Sequence, residues 1–267
     1  MLLFPLFSEM LHAQGDLMIF PKRVVFEGSI RSVDLNLANI GNDTARYTIS
    51  FLQYRMTEMG KFEEITTPDP GQFFADPYLR FYPRNIILAP KESQTVKVQL
   101  SRTSQLQPGE YRSHAYFRSV PKPPPLGEAG AAQQDSGISI RLTPIFGITI
   151  PVIIRIGTSN TQLILSEPAI KRNADGTASL DLILRRTGNW SVYGNIAIDY
   201  LSPTGKVLRA GFLQGISVYA PNLLRRIQIP LDKVEGINYR IGKLHVEFSE
   251  EVNFRPVKRA ELDIILP

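Results

Sequence analysis

The sequence predicts an all-β protein, and three observations carry that expectation. No long stretch shows the 3.6-residue apolar period of a helix. The 20 prolines and 19 glycines are spread along the whole chain, as they are where turns join many short strands. Several runs alternate apolar with polar residues, the period of two that turns one strand face to a core. With 267 residues, 43% of them apolar, the chain can bury a sizeable core, and its length fits two domains.

Residues 1 to 14, MLLFPLFSEMLHAQ, are apolar, too short to span a bilayer, and end ahead of Gly15-Asp16 as a secretory signal would. No Lys or Arg precedes the apolar run, which leaves either a start further upstream, and so a truncated signal peptide, or a plain apolar leader. Export is the expected fate, with no membrane insertion, because no other stretch reaches about 18 consecutive apolar residues.

Residues 17 to 27 read as an extended segment broken at Pro21. Residues 32 to 39 set Val33, Leu35 and Leu37 against Asp34, Asn36 and Ala38, a half-buried strand. Gly41-Asn42-Asp43 turns the chain into a strand over 47 to 56, and residues 66 to 79 form a Pro/Asp/Gly-rich loop. Strands follow at 85 to 88, at 95 to 100 and, after Pro108-Gly109, at 111 to 120. Residues 122 to 137, KPPPLGEAGAAQQDSG, cannot make a packed element and are expected to form a mobile loop.

That loop leads into residues 138 to 156, ISIRLTPIFGITIPVIIRI, an almost uncharged β-branched run. It is either a buried strand or a strand kept available for a partner. After residues 157 to 160, taken as a linker, strand-like runs recur at 162 to 165, 179 to 185, 195 to 200, 209 to 212, 225 to 229, 243 to 248 and 260 to 266. Seven short strands at these intervals fit an immunoglobulin-like sandwich.

Composition narrows the chemistry. Zero cysteines exclude disulfides, thiolate metal sites and a thiol nucleophile. Taking Glu9 away with the leader moves the formal charge from +5 to +6. The basic residues are scattered rather than gathered, which gives nucleic-acid binding little support. His12 lies in the leader, while His114 and His245 sit singly in strands without an acidic neighbour at ligand spacing. Glu63-Glu64 and Glu250-Glu251 read as solvated charge, and Trp190 as core. No phosphate loop, nucleophile elbow or metal-binding helix motif is present. Neither an enzyme, a metal nor a cofactor is expected.

Four motifs then fall in a telling order: Arg23-Val24-Val25-Phe26-Glu27-Gly28-Ser29 before the alternating strand; Pro83 followed by residues 88 to 98, LAPKESQTVKV; Glu110 to Pro121; and an apolar strand ending at Arg155. Together they resemble the periplasmic chaperones of the chaperone/usher pilus pathway, the PapD-like family, over residues 17 to 157, with architectural agreement beyond. The resemblance implies two immunoglobulin-like β-sandwich domains set at an angle around a cleft, here expected at 15 to 157 and 158 to 267. It implies pilus or fimbrial subunits and an outer-membrane usher as partners, and a periplasmic location.

The mechanism implied is the loan of the last first-domain strand to a subunit. Ile138, Ile140 and Leu142 have the i, i+2, i+4 spacing such a strand needs; Phe146, Ile148 and Ile150 form the alternative register, and the irregularity at Thr143-Pro144 and Gly147 leaves the register open, because a one-residue slip reverses every face. The end from Val152 to Arg155 is expected in the chain's own core. The resemblance makes Arg23 the anchor for a subunit carboxylate, which its planar donors suit. The family's second anchor, a lysine, falls on Pro151, leaving Arg141 or a main-chain donor in its place. It also assigns Glu110 and Arg155 to an interdomain salt bridge. The rival expectation is an extracellular β-sandwich adhesin or structural surface subunit whose apolar strand completes its own core or self-assembles.

Overall fold

The computed structural model describes residues 17–121, 145–173, 177–252 and 254–266. Alternation governs the first strands: Leu35 and Leu37 of one, Val96 and Val98 of another, are fully buried while Asp34, Asn36, Thr95, Lys97 and Gln99 are exposed. In chain order the strands are β1 (Leu17–Phe20), β2 (Val24–Phe26), β3 (Ser32–Asn39), β4 (Ala45–Leu52), β5 (Tyr54–Met56), β6 (Phe62–Glu64), β7 (Leu79–Tyr82), β8 (Asn85–Leu88), β9 (Ser93–Leu100), β10 (Gly109–Ser119) and β11 (Gly147–Ile156). They continue as β12 (Gln162–Arg172), β13 (Ala178–Thr187), β14 (Val192–Leu201), β15 (Val207–Val218), β16 (Leu224–Leu231), β17 (Lys243–Val252) and β18 (Arg255–Ile265). The protein is all-β among the described residues, with only two short 3-10 turns at Asp76–Tyr78 and Thr103–Gln105.

The chain divides into two compact units. The first holds residues up to Leu52 with Ala75–Gln105 and Ser113–Ile153; the second holds Gln53–Phe74, Leu106–Arg112 and Ile154 onward. In the first unit, a four-stranded sheet of order β1-β3-β9-β7 faces a five-stranded sheet of order β2-β11-β10-β4-β8. The two meet where Phe51 of β4 stacks on Phe81 of β7, ring centroids 4.5 Å apart. In the second, β12-β13-β16 and β15-β14-β17-β18 enclose one continuous core that joins Leu180, Leu182 and Leu184 to Ile196, Ile198, Val246 and Phe248. Two-layer packing of this kind is what alternating antiparallel strands require, since each sheet has one apolar face to cover.

Three departures from the sequence expectation have physical causes. Residues 17 to 27 form two strands in different sheets, β1 beside β3 and β2 beside β11; Pro21, lacking an N–H, ends the first ladder and lets the chain cross. The strand expected over 47 to 56 stops at Leu52, and its last residues pair with β6 as a separate hairpin that belongs to the second unit. Alternation runs on through Tyr54 and Met56, so the pattern hides the change of sheet. Finally, β15 spans twelve residues where four were expected, because backbone ladders do not require apolar side chains and recruit Gln214 and Ser217. The leader, the loop 122 to 137 and the turn around 174 to 176 lie outside the described residues.

Removing the Phe81 ring would open a cavity at the meeting of the two sheets. Phe81→Ala is expected to lower the stability of the first unit by about 3 to 5 kcal/mol, read as a drop in urea midpoint by circular dichroism.

Candidate functional site

β11 lies between β10 and β2, and the two sides differ. β10 has eleven residues and β2 has three, so most of the outer edge of the ten-residue β11 meets no other strand among the described residues. Phe146 N–H donates to the Ser119 hydroxyl, and Phe146 C=O accepts from Ser119 N–H. Even-numbered residues therefore turn their backbone groups to β10, and odd-numbered ones turn theirs to the open side.

Side chains follow the same alternation. Ile150 is 4% exposed and Val152 fully buried, so both belong to the core of the first unit. Phe146 and Ile148 are half-buried, while Ile145, Gly147 and Thr149 are exposed. Of the alternative donor register, then, Ile150 packs inside its own unit and only Phe146 and Ile148 are partly accessible. Ile138, Ile140, Leu142 and Arg141 lie outside the described residues.

Arg23 is half-buried and immediately precedes β2, the outer neighbour of β11. The fold thus carries it to the strand beside the apolar run, 120 and more residues away in sequence. Pro151 is half-buried within β11. As an odd-numbered residue it directs its missing N–H to the open side, where no bond to β10 is lost.

A second constellation forms in the second unit. Arg155 Nε donates to Glu110 Oε2 at 3.1 Å, the two side chains being 17% and 2% exposed. Ser191 completes the site: its N–H donates to the same oxygen at 3.0 Å, and its hydroxyl donates to Glu110 Oε1. Arg155 Nη2 donates to Ser191 C=O at 2.8 Å, and its guanidinium lies over the Trp190 ring, 4.9 Å from the centroid. Nearby, the buried Arg186 donates to the carbonyls of Asn222, Gly188 and Trp190. Burial pushes this guanidinium below its ordinary pKa, against the opposing pull of Glu110.

The hairpin β5–β6 joins this unit through the Asn222 side-chain amide, which donates to Met56 C=O, and through Arg226 N–H, which donates to Glu58 C=O at 2.7 Å. Phe62 reaches the Tyr219 ring, with centroids 6.1 Å apart. Arg112 also meets Tyr219, its guanidinium 4.2 Å from the ring centroid, and its Nη2 donates to Tyr54 C=O at 3.0 Å. Sequence reading assigned Glu110 and Arg155 but missed Ser191, Arg112, Arg186 and the hairpin, because none carries a spacing signal.

The Ser191 hydroxyl is buried and donates to the Glu110 carboxylate, so its proton is committed to holding the strands together. His114 is buried in β10 opposite Leu52. His245 corrects the expectation of a solitary residue: Asp263 faces it across β17 and β18, Nδ1 to Oδ1 2.7 Å. Lys243, and then His245, hold the Asp263 carboxyl below its usual range. Glu63 and Glu250 each lie near an arginine, Arg55 and Arg259 respectively. Among the described residues no group of three or more His, Asp and Glu could hold a metal ion.

No protein-family model and no curated protein matches the sequence. Among solved structures, the chain is similar to the YadV chaperone at 14% identity and a TM-score of 0.47, covering 94% of this chain and 100% of that one. It is similar to the class 5 fimbriae chaperone CfaA at 15% identity and a TM-score of 0.46, covering 94% and 99%. The CupB2 chaperone of Pseudomonas aeruginosa aligns at 13% identity and a TM-score of 0.44, covering 94% and 100%.

Truncating Glu110 would leave the Arg155 charge in a site built around a carboxylate, at a cost of about 3 to 5 kcal/mol. Trp190 is the chain's one tryptophan and lies against Arg155, so its fluorescence reads the site directly. In Glu110→Ala we expect red-shifted emission and a lower denaturation midpoint by that probe; an unchanged midpoint would show the ion pair to be dispensable.

Proposed function

We propose that the chain is a periplasmic chaperone of the chaperone/usher pathway, PapD-like, which binds pilus or fimbrial subunits by lending them the open edge of its last first-domain strand. The carrying observation is the mismatch at β11: ten residues of strand with a three-residue neighbour on the outer side. An apolar strand with an unpaired row of N–H and C=O groups is a template for another chain. In chaperone–pilin complexes strand addition of this kind gives affinity through main-chain bonds and specificity through alternate side chains.

In this proposal Ile138, Ile140 and Leu142 enter the subunit groove, with Phe146 and Ile148 continuing the same face toward the chaperone's own core. Because Ile150 is already buried there, the loaned portion ends before it. Arg23 holds the subunit's terminal carboxylate, and its place at the head of β2, beside β11, supports that role. Glu110 and Arg155, with Ser191, are structural: they tie β10 and β11 to the start of β14. No catalytic residue and no cofactor is assigned. The free energy of release comes from exchanging one donated strand for another at the usher, and the subunit then passes to the fibre.

Co-expression with candidate fimbrial subunits tests the proposal. A soluble 1:1 complex is expected, and Ile140→Asp and Arg23→Ala are each expected to abolish or severely weaken it while the free chaperone keeps its unfolding midpoint. If both variants retain the complex at full strength, strand donation is wrong. A chain that instead assembles with itself into fibres would be a surface subunit.

A further inference from the structure

Just before β11, one residue is held to the end of β10 by two hydrogen bonds. The Ser119 N–H donates to Phe146 C=O at 2.8 Å, and the Phe146 N–H donates back to the Ser119 hydroxyl at 2.9 Å. Ser119 is 5% exposed, so these bonds are shielded, and loss of the hydroxyl would strip the Phe146 N–H of its acceptor. Ser119 is the last residue of β10, and the next N–H, that of Val120, faces the other way in the ordinary alternation, to Arg46 C=O in β4.

The outer face has its own fixture one residue along. The Tyr116 ring lies over Gly147 so closely that a Cβ there would stand 2.2 Å from Cε2 and 2.7 Å from the hydroxyl. Only glycine admits the ring where it now sits. A slip of β11 by one residue would bring Phe146 or Ile148 beneath Tyr116 and reverse every face. A slip by two would bring Ile145 or Thr149 there. Each alternative therefore meets a side chain where the present register meets none.

We infer that Ser119 and Tyr116 are positioning residues that set the register in which β11 is offered to an incoming strand. They do so with Phe146 and Ile148 turned to the interior face and with the backbone groups of the odd-numbered residues left on the open edge. The inference rests on the strand-donation proposal, and neither residue needs to touch the partner: both act through β11.

The test uses the full chain, which has no cysteine, with Thr149→Cys as a label and a panel of subunits each carrying a single cysteine. Directly opposed cross-strand positions are close enough for a disulfide to report register. With the native Ser119, one subunit position should cross-link. In Ser119→Ala, cross-linking should spread to positions two residues apart and the complex should dissociate about tenfold faster, the effect of one ordinary hydrogen bond. Ser119→Thr, which keeps the hydroxyl, should restore both, and Gly147→Ala, which displaces the ring, should spread the cross-links with Ser119 intact.

A second measurement needs no subunit: the Phe146 amide should exchange with solvent about tenfold faster in Ser119→Ala. A single unchanged cross-link position and dissociation rate in Ser119→Ala would overturn the inference, as would unchanged Phe146 exchange. If the chain with native Ser119 binds no subunit at all, strand donation itself fails and the register role falls with it; the exchange rates then report separately whether the clamp exists.

Discussion

Every N–H and C=O along a strand needs a partner or water, and the way this chain treats its sheet edges follows from that constraint. In the first unit the edge strands β1, β2, β7 and β8 have three or four residues each, and Pro21, Pro83 and Pro90 stand beside them. In the second unit the edges are long but interrupted. β12 is broken by a bulge between Ser166 and Ala169, with Glu167 at positive φ. β15 slips register twice against β14, β16 carries Pro230, and β18 carries Pro256, a register shift and a row of charges. Short strands, prolines, bulges and charges are the usual means of blunting an edge. β11 has none of them at its first residues, and its three-residue neighbour cannot cover it.

The polar network of the second unit answers the same constraint inside a core. Glu110 is a charge almost without solvent access, and it is tolerated because a guanidinium, a backbone N–H and a hydroxyl all point at it. Such an arrangement is not a large source of stability by itself, since desolvation offsets much of the attraction. Its consequence is geometric: Glu110 comes from β10, Arg155 from β11 and Ser191 from the approach to β14, so three remote segments are held in one register. Arg186 does the same with carbonyls, drawing the turn at Gly188 to Trp190 toward Asn222.

Much of this was legible in the chain. The all-β class and most strands of the first unit follow from alternation, because a side-chain period of two is a local property that survives any tertiary arrangement. Arg23, Glu110 and Arg155 stood out by the order of motifs around them, and the apolar run ending at Arg155 by its composition. The hairpin β5–β6 was not legible: Tyr54 and Met56 continue the alternation of β4, yet they pair with β6, and the hairpin's packing partners, Tyr219, Asn222 and Arg226, lie some 160 residues onward. His245 looked solitary for the same reason, since Asp263 faces it only when β17 and β18 pair.

By itself, then, the sequence determined which residues alternate, where prolines and glycines forbid a ladder, and that cysteine chemistry is absent, all of them consequences of covalent structure and local sterics. The tertiary structure alone decided which strands share a sheet and how far each ladder extends. That choice places three residues of β2 against ten of β11, buries Ile150 while leaving Ile145 47% exposed, and brings Ser119 to Phe146 and Tyr116 to Gly147. Pairing and register are long-range hydrogen-bond decisions, and no local pattern records the partner with which an edge is or is not matched.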